Sequence, residues 1–284
     1  MRVSATAAKP AGSAAHGTPE IEWCGVTKAF TAHGRTAVAL ENVSCEIRKG
    51  ERVALTGRSG GGKTTLLNMV AGLVMPTSGV VRHAGRDVTA INNEVGYVTQ
   101  KDTVLPWRTV ERNTALALEV RGADRSERRR RVAEVLELVG LKGAEHLYPS
   151  ELSGGMLKRL LLARTLVYRP SVLLLDEPFA ALDAHLRAGL HAELIRIWEA
   201  TGATIVLVTH DLNEAVLLSD RVLVLGGSPS HIVLSRDTNL TPGADPLEAQ
   251  FAPDFTKLTR ELWHALRGDG LQPGRPDARQ EGSA

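Results

Sequence analysis

Short apolar stretches alternate with amphipathic ones along the middle of the chain. The stretches Glu51–Thr56, Val172–Leu175 and Thr204–Thr209 are short and mostly apolar, which is typical of buried strands. Between and beside them, apolar residues recur every three or four positions, as in Lys63–Gly72 and Ala184–Ala200, and this spacing predicts helices. Apolar strands that alternate with helices favour an α/β fold in which helices cover both faces of a parallel sheet.

Weaker patterns extend this alternation in both directions. The segments Glu20–Lys28 and Ala37–Ile47 alternate between apolar and polar residues, which predicts two strands before the first helix. Two further strands are predicted at Val95–Thr99 and Arg221–Leu225. Four further helices are predicted: one that begins at Asp124, two at Leu157–Tyr168 and Leu212–Ser219, and a last one that runs from Asp254, its N-cap, to Gly268. No internal repeat accompanies this pattern.

The two ends of the chain lack this periodicity. Residues 1–18 are rich in Ala, Gly, Ser and Thr, and residues 269–284 mix Gly, Pro and isolated charges, so both segments are predicted to be disordered. Between them we expect a main body at 19–230 and a C-terminal extension with a helix at 231–268. No apolar run approaches the roughly 18 residues of a membrane-spanning helix, and none near the start resembles a secretory signal. We therefore expect a soluble intracellular protein.

Composition excludes several classes of protein. Apolar residues make up 43% of the chain and charged residues 23%, which are ordinary globular values and exclude wholesale disorder. The 34 basic and 32 acidic residues give a net charge of +2, so charge does not indicate a nucleic-acid-binding protein. Cys24 and Cys45 lack the spacing of a metal or redox site and are expected to be reduced core thiols. His185 and His191 lie six positions apart on one predicted helix, so they do not share a face as metal ligands would.

The strongest motif follows the first apolar strand. It matches the phosphate-binding pattern G-x-x-x-x-G-K-[ST], between a strand and a helix, and comprises Gly57, Arg58, Ser59, Gly60, Gly61, Gly62, Lys63 and Thr64. Glycines let backbone N–H groups curl around phosphate oxygens, and the helix N-terminus adds positive potential. Lys63 is placed to reach the β- and γ-phosphates, and the Thr64 hydroxyl is placed to bind Mg²⁺. We call residues 57–64 the P-loop.

Two acidic residues end the apolar strand Val172–Leu175. An Asp at the carboxyl end of a central strand lies beside a phosphate-binding loop, so Asp176 is a candidate to hold Mg²⁺ through water. Glu177 follows it and is a candidate to orient or deprotonate an attacking water molecule. Either acid alone would be common at the end of a strand, but their combination with Lys63 favours nucleotide hydrolysis.

A second candidate anion site is the segment Leu152-Ser153-Gly154-Gly155-Met156, which we call the signature segment. Its Ser153 lies 96 positions after Gly57. Ser153 is placed to cap the following helix, and Ser-Gly-Gly at a helix N-terminus can bind phosphate. The same residues would also form an ordinary capped turn. One chain thus offers two phosphate-binding helix starts, which a single nucleotide site does not explain.

These motifs occur in an order that resembles one family. The P-loop, Gln100, the signature segment, Asp176-Glu177, Ala181-Leu182-Asp183 and His210 together resemble the ATP-binding cassette of the ABC transporter superfamily, over roughly residues 20–230. The resemblance implies a P-loop NTPase core, an N-terminal antiparallel β subdomain and an inserted α-helical subdomain at about 105–160. It also implies a head-to-tail dimer in which each ATP lies between the P-loop of one cassette and the signature segment of the other.

The resemblance assigns roles to further residues. Gln100 resembles the glutamine that contacts Mg²⁺ and water, His210 the switch histidine that contacts the γ-phosphate, and Asp183 the aspartate that couples the two sites. Phe30 aligns with the aromatic residue that stacks on adenine, although a core Phe would also suit this position. The implied nucleotide-binding set is Phe30, residues 57–64, Thr65, Ser153, Gly154, Gly155 and Asp183; the implied Mg²⁺ set is Thr64, Gln100 and Asp176; and the implied catalytic residues are Glu177, His210 and Gln100.

Some features refine the resemblance. The signature segment ends in Met156 where Gln is commoner, but its Ser-Gly-Gly part is intact, so we expect ATP use to survive. The segment Val104–Val110, the stretch 215–222 and the tail helix with Trp263 resemble importer ATPases for nitrate, aliphatic sulfonates and taurine. These features suggest a branch of the superfamily and do not identify a solute.

The resemblance also implies partners and a location. The chain would be a peripheral subunit at the cytoplasmic face of the cell membrane, paired with a second, identical cassette and two integral membrane permeases, and served indirectly by an extracytoplasmic substrate-binding protein. No nucleic acid is expected as a partner. ATP would close the cassette dimer, and hydrolysis through Glu177 and Mg²⁺ would reopen it, so that a small anionic solute is taken up.

Two alternatives remain from the sequence. One is a soluble ABC ATPase in translation, DNA repair or iron–sulfur assembly. Against it, the translation type carries two cassettes in one chain, and the 96 positions between Gly57 and Ser153 leave no room for the long coiled coil of the repair type. The other is a small-molecule P-loop kinase, which does not explain Ser153–Gly155.

Overall fold

The computed structural model describes residues 18–32, 34–101, 103–180, 183–239 and 249–268, without the side chains of residues 184 and 185. Residues 1–17 of the predicted leader, the predicted tail, Ala181, Leu182 and the His185 side chain therefore lie outside the described part. The strands are β1 (Ile21–Ala32), β2 (Arg35–Ile47), β3 (Arg52–Gly57), β4 (Ser78–His83), β5 (Arg86–Asp87), β6 (Val95–Val98), β7 (Val172–Asp176), β8 (Thr204–Val208), β9 (Arg221–Gly226) and β10 (His231–Asp237). The α-helices are α1 (Lys63–Val70), α2 (Val110–Val120), α3 (Arg125–Leu138), α4 (Gly154–Leu166), α5 (Ala184–Thr201), α6 (Leu212–Leu218) and α7 (Pro253–Arg267).

A six-stranded sheet in the order β10-β9-β3-β8-β7-β6 forms the centre of the protein. Its strands are parallel from β9 to β6, and every residue of β7 and β8 is buried, as expected for strands that are covered on both faces. The predicted α/β fold with a parallel sheet is therefore confirmed. The edge strand β10 departs from the prediction, because it runs antiparallel to β9.

A second sheet and a helical insertion complete the fold. The antiparallel sheet β2-β1-β4-β5 is the predicted N-terminal β subdomain, and its buried residues Ile21, Trp23 and Val26 share a core with α1 and one face of the larger sheet. Strands β6 and β7 are neighbours, and the chain between them forms α2, α3, a short 3-10 helix at Pro149–Glu151, and α4. Among the described helices, none has both the length and the apolar character needed to cross a bilayer.

Several elements differ from the sequence-based expectations. Helix α2 was not predicted, because the fully buried polar residues Asn113 and Thr114 interrupt its apolar stripe. The helix expected at Leu157 begins at Gly154, since the Ser153 side chain caps it there. Asp254 is not the N-cap of the last helix: Ala252 is the N-cap, Pro253 begins the helix, and Asp254 lies in its first turn.

Candidate active site

The carboxyl ends of four neighbouring parallel strands bring the predicted site residues together. Leu55 of β3 pairs with Val208 of β8, and Val208 pairs in turn with Asp176 of β7. Val98 of β6 pairs with Leu175 of β7, so that Gln100 and Glu177 each follow a paired residue by two positions. This alignment places the P-loop, both acids, Gln100 and His210 at one edge of the sheet, which is where open α/β sheets bind ligands.

The P-loop leads directly into α1. Gly62 is the N-cap with a φ of 82°, and a Cβ there would lie 2.5 Å from Leu40 Cδ2, so both conformation and space require glycine. The Gly61 N–H donates to the Arg58 carbonyl at 3.0 Å, which closes the turn. Because glycine offers α1 no side-chain cap, the first N–H groups of the helix face outward and suit an anion.

Lys63 lies inside the curl of this loop and is almost entirely buried. Its Nζ donates to the carbonyl oxygens of Gly57 at 2.9 Å and Arg58 at 3.0 Å. Burial lowers the pKa of Lys63 from its ordinary value, and the negative charges of Glu177 and Asp176 oppose that shift. The Lys63 ammonium is therefore held at the base of the loop, next to the two carboxylates.

The remaining P-loop residues differ in exposure. Arg58, Ser59, Gly60 and Thr64 are exposed, while Gly61 and the following Thr65 are partly buried. The exposed backbone of this turn is the part that a polyphosphate would contact.

Thr64 and Asp176 form a pair of oxygen donors. The Thr64 hydroxyl donates to Asp176 Oδ1 at 3.1 Å. Burial raises the pKa of Asp176, and this hydrogen bond opposes the rise. A hydroxyl and a carboxylate in contact match the hard oxygen ligands that Mg²⁺ prefers, so these two residues fit the predicted cation.

Glu177 lies between Gln100 and His210. Gln100 Nε2 donates to Glu177 Oε2 at 3.2 Å, and His210 Nδ1 lies 3.4 Å from Glu177 Oε1. Glu177 also adopts a φ of +48°, a left-handed conformation that is unfavourable for a residue with a side chain. Its neighbours His210 and Gln100 are both exposed, whereas the Glu177 side chain is only 21% exposed. The structure thus brings the three predicted catalytic residues together.

The signature segment and Asp183 lie next to each other at the starts of α4 and α5. The Ser153 hydroxyl accepts from the Met156 N–H at 3.3 Å, and the Asp183 carboxylate accepts from the Leu186 N–H at 2.9 Å. Gly155 packs closely against Leu186, where an added Cβ would lie 2.7 Å from Leu186 Cδ1. Ser153, Gly154 and Asp183 are exposed, so these helix starts present their outer surface to solvent.

Phe30 is not a core residue. It lies on β1 opposite Ala37 of β2, and 44% of its surface is exposed. Lys28 Nζ lies 5.1 Å from the centroid of its ring. The alternative that Phe30 belongs to the core is therefore wrong, and stacking on adenine stays a prediction.

The sequence reasoning missed a polar cluster behind His210. It consists of Thr209, Glu214 and His191, all of them buried. Burial acts to raise the pKa of Glu214, but hydrogen bonds from His191 and Thr209 hold it below its ordinary value. The pattern Asp211-x-x-Glu214 suggests a capping box, in which Glu214 would accept from the Asp211 N–H. Instead, that N–H donates to the Thr209 hydroxyl, and Glu214 bonds Thr209 and His191.

A groove of 690 Å³ lies between the core and the helical insertion. It is lined by Thr99, which precedes Gln100, and by Arg121 and Arg164, together with apolar residues from both sides. Three of these apolar residues are strongly exposed: Leu73 at 56%, Ile91 at 66% and Val120 at 81%. Exposed apolar side chains grouped at a groove are typical of a protein-binding surface.

Known proteins resemble the chain in sequence and in structure. A family model described as ABC transporter matches residues 40–180. The nitrate import ATP-binding protein NrtC of Synechococcus elongatus is 44% identical over 82% of this chain, which spans only 36% of that protein. The aliphatic sulfonates import ATP-binding protein SsuB of Bacillus subtilis is 40% identical over 86% of this chain and 96% of its own length. A solved structure of an ATP-binding cassette also resembles the chain, with a TM-score of 0.68 and 30% identity over 78% of this chain and 100% of that one. That cassette was solved as a dimer in a post-hydrolysis state, bound to ADP and Pi.

Proposed function

Because the chain belongs to the ABC transporter family of ATP-binding cassettes, we propose that it is the ATP-hydrolysing subunit of an importer for a small anionic solute. The family and the ATPase class predicted from the sequence are confirmed by the similarity to import ATP-binding proteins and to a solved cassette. The roles of single residues, the membrane partners and the solute are the proposed part.

The position of Glu177 carries the proposal for hydrolysis. Its carboxylate lies at the sheet edge beside Asp176 and Lys63, where hydrogen-bonding groups of Gln100 and His210 contact its two oxygens. In this arrangement Glu177 orients a water molecule and accepts a proton from it at a carboxylate oxygen as the water oxygen attacks the γ-phosphorus. The bond from the γ-phosphorus to the β–γ bridging oxygen breaks, and ADP leaves with that oxygen. Lys63 and the N–H groups of the P-loop bind the phosphates, and His210 contacts the γ-phosphate. Thr64 and Asp176 would hold Mg²⁺, which screens the phosphate charge when it is bound.

The exposed signature segment supports a dimer. The contacts described for Ser153 and Asp183 are made within α4 and α5. Their outer surfaces are therefore available for the nucleotide on a partner's P-loop, in the head-to-tail arrangement that the resemblance implies. A second copy of this chain is the proposed partner, and the solved cassette that it resembles is itself dimeric.

The groove beside Gln100 supports docking of membrane permeases. The groove lies between the helical insertion and the strand end that carries Gln100, so a permease segment bound there would contact both the insertion and the core. This location would transmit movement between the permease and the glutamine that contacts Glu177. The subunit would then be peripheral, at the cytoplasmic face of the membrane.

An anionic solute is proposed because of the solutes for which the relatives are named. The two relatives described above are named for the import of nitrate and of aliphatic sulfonates, which are both anions. A solute such as nitrate, a sulfonate or taurine is therefore the proposed cargo. An extracytoplasmic binding protein would select it.

The test is affinity capture of the tagged protein from detergent-solubilised native membranes, with bound proteins identified by mass spectrometry. We expect the wild-type chain to capture a multi-spanning permease and Val120→Asp, in the groove, to lose it. Val233→Asp is the matched control, because Val233 is also an exposed valine, 42% exposed, but lies on β10. Capture of ribosomal, DNA-repair or cluster-assembly proteins without a permease would instead favour the soluble ABC ATPase.

A further inference from the structure

A buried hydrogen-bonded cluster lies directly behind the loop that carries His210. Thr209 is 1% exposed, Glu214 5% and His191 7%. The Thr209 hydroxyl donates to Glu214 Oε2 at 2.6 Å, and His191 Nε2 lies 3.2 Å from Glu214 Oε1. Arg187 Nε lies 3.8 Å from the same Oε1, so both oxygens of the buried carboxylate have partners, as a buried charge requires.

Thr209 ties this cluster to the backbone on both sides of His210. Its hydroxyl accepts from the Asp211 N–H at 3.0 Å while it donates to Glu214. Its own N–H donates to the Leu55 carbonyl of β3 at 3.2 Å. The residues before and after His210 are therefore fixed by directional bonds, which fix the backbone from which the exposed imidazole projects.

The cluster also reaches the segment that follows Glu177. The ring of Phe179, two positions after Glu177, meets the His191 ring edge-on, with 4.8 Å between the centroids. Arg187 lies one helical turn before His191 on α5, and its Nη1 lies 3.4 Å from Asp211 Oδ2. Helix α5 therefore contacts both loops that meet at the Glu177–His210 pair.

We propose that Thr209, Glu214 and His191 are positioning residues that set the placement of His210 relative to Glu177. This inference rests on the proposed role of His210 in ATP hydrolysis. The Thr209 hydroxyl links the buried Glu214 carboxylate to the Asp211 N–H directly after His210, a link that core packing alone does not require. The three residues act through His210 and do not touch the reacting atoms.

The matched variants Thr209→Val and Thr209→Ser test this role. Valine has nearly the shape of threonine but lacks the hydroxyl, whereas serine keeps the hydroxyl and loses only a methyl group. We expect Thr209→Val to lower kcat for ATP by roughly 3- to 30-fold, as removal of a coupling contact does. We expect KM for ATP to stay within about twofold, since Lys63 and the P-loop, which are proposed to hold the phosphates, are unchanged. We expect Thr209→Ser to restore most of kcat. Thermal unfolding of both variants checks that they fold.

His191→Leu provides a second route should Thr209→Val fail to fold. It removes the hydrogen bond from His191 to Glu214 Oε1, keeps Arg187 Nε 3.8 Å from that oxygen, and leaves residues 209–211 unchanged. We expect the same split, with kcat reduced and KM for ATP nearly unchanged.

A double-mutant cycle with His210→Ala separates positioning from general damage. If Thr209 acts through His210, Thr209→Val has no further effect on the residual turnover of His210→Ala. An equal loss in both backgrounds, or equal kcat for the valine and serine variants, would overturn the positioning role. Failure of the proposed function is distinct, because the wild-type chain would then lack ATP turnover or His210→Ala would leave it unchanged.

Discussion

Asp176 and Glu177 are adjacent carboxylates whose surroundings give them different chemistry. Asp176 is buried and accepts a hydrogen bond from the Thr64 hydroxyl, which suits a residue that holds a cation. Glu177 is partly exposed and contacts Gln100 and His210, which suits a residue that handles a water molecule. Neighbouring acids commonly divide their roles in this way, because environment determines which proton or cation each one binds.

Replacing Glu177 by Gln separates binding from hydrolysis. The amide keeps the size of the side chain and one accepting oxygen but cannot accept the proton, so turnover should fall at least about 100-fold. ATP binding should be retained, since the phosphates are held by the P-loop and Lys63. Steady-state hydrolysis and equilibrium binding of a labelled ATP analogue measure the two properties. Lys63→Ala is the contrasting control, which we expect to lose ATP binding or turnover; rapid hydrolysis by Glu177→Gln would refute the assignment of the base.

Helix starts are the elements that organise the rest of the site. The N-cap of α1 is Gly62, which offers no side-chain cap, whereas the N-caps of α4 and α5 are Ser153 and Asp183, whose side chains cap the helices. Capping fixes the start of each helix and satisfies one amide, while the other amides of the first turn still face outward. A capped start can therefore be rigid and bind anions at the same time.

The cap of α5 predicts a measurable difference between two substitutions of Asp183. Asp183→Ala removes the acceptor of the Leu186 N–H and should lower the free energy of unfolding by about 1 kcal/mol. Asp183→Asn keeps a good N-cap and should cost no more than about half as much. Denaturant unfolding measures both changes in the free energy of unfolding, and equal m-values show that the variants can be compared. Equal stability of the two variants would show that Asp183 does not act as the cap.

Prediction from the sequence succeeded where an element follows one strong local rule. The buried strands β3, β7 and β8 and the helix after the P-loop are continuous patterns with clear ends, so they were predictable. Helix α2 was missed because Asn113, which is fully buried, looks like a surface residue until its amide is seen to bond the loop carbonyls of Leu105 and Arg108. Strand β10 was missed because it is an edge strand that pairs with β9 on one side and most of its residues are exposed, so no buried apolar pattern marks it.

The site was predictable as a set of residues and not as a set of contacts. The order of the motifs identified Gln100, Glu177 and His210, but their contacts depend on the register of β6, β7 and β8. The cluster of Thr209, Glu214 and His191 joins elements far apart in the sequence. Its Glu–His contact depends on how α5 packs against α6, which no local pattern encodes.

On the scale of the whole molecule, the two helix starts that we propose to bind phosphate lie on different parts of the fold. The P-loop lies at the edge of the large sheet, and the signature segment begins α4 of the helical insertion. Closed symmetric dimers are the commonest way for proteins to combine two such surfaces. In the proposed head-to-tail dimer the nucleotide would be part of the interface, and its hydrolysis would change the strength of association.

This arrangement predicts that nucleotide controls dimerisation. Glu177→Gln with ATP and Mg²⁺ should move from monomer to dimer in light scattering after size exclusion, because bound ATP is not consumed. Adding Ser153→Arg should abolish the dimer, since a bulky side chain would project from the exposed start of α4, while ATP binding to the monomer persists. A dimer that survives Ser153→Arg, or that forms equally well without nucleotide, would contradict the head-to-tail arrangement.

The left-handed backbone of Glu177 has a consequence for the history of the sequence. Glycine would adopt a φ of +48° without strain, whereas a residue with a side chain is disfavoured there by roughly 1 kcal/mol or more. Selection for stability alone would therefore replace this glutamate. If Glu177 is the proposed base, then in a lineage that no longer hydrolysed ATP this position should drift toward glycine or asparagine.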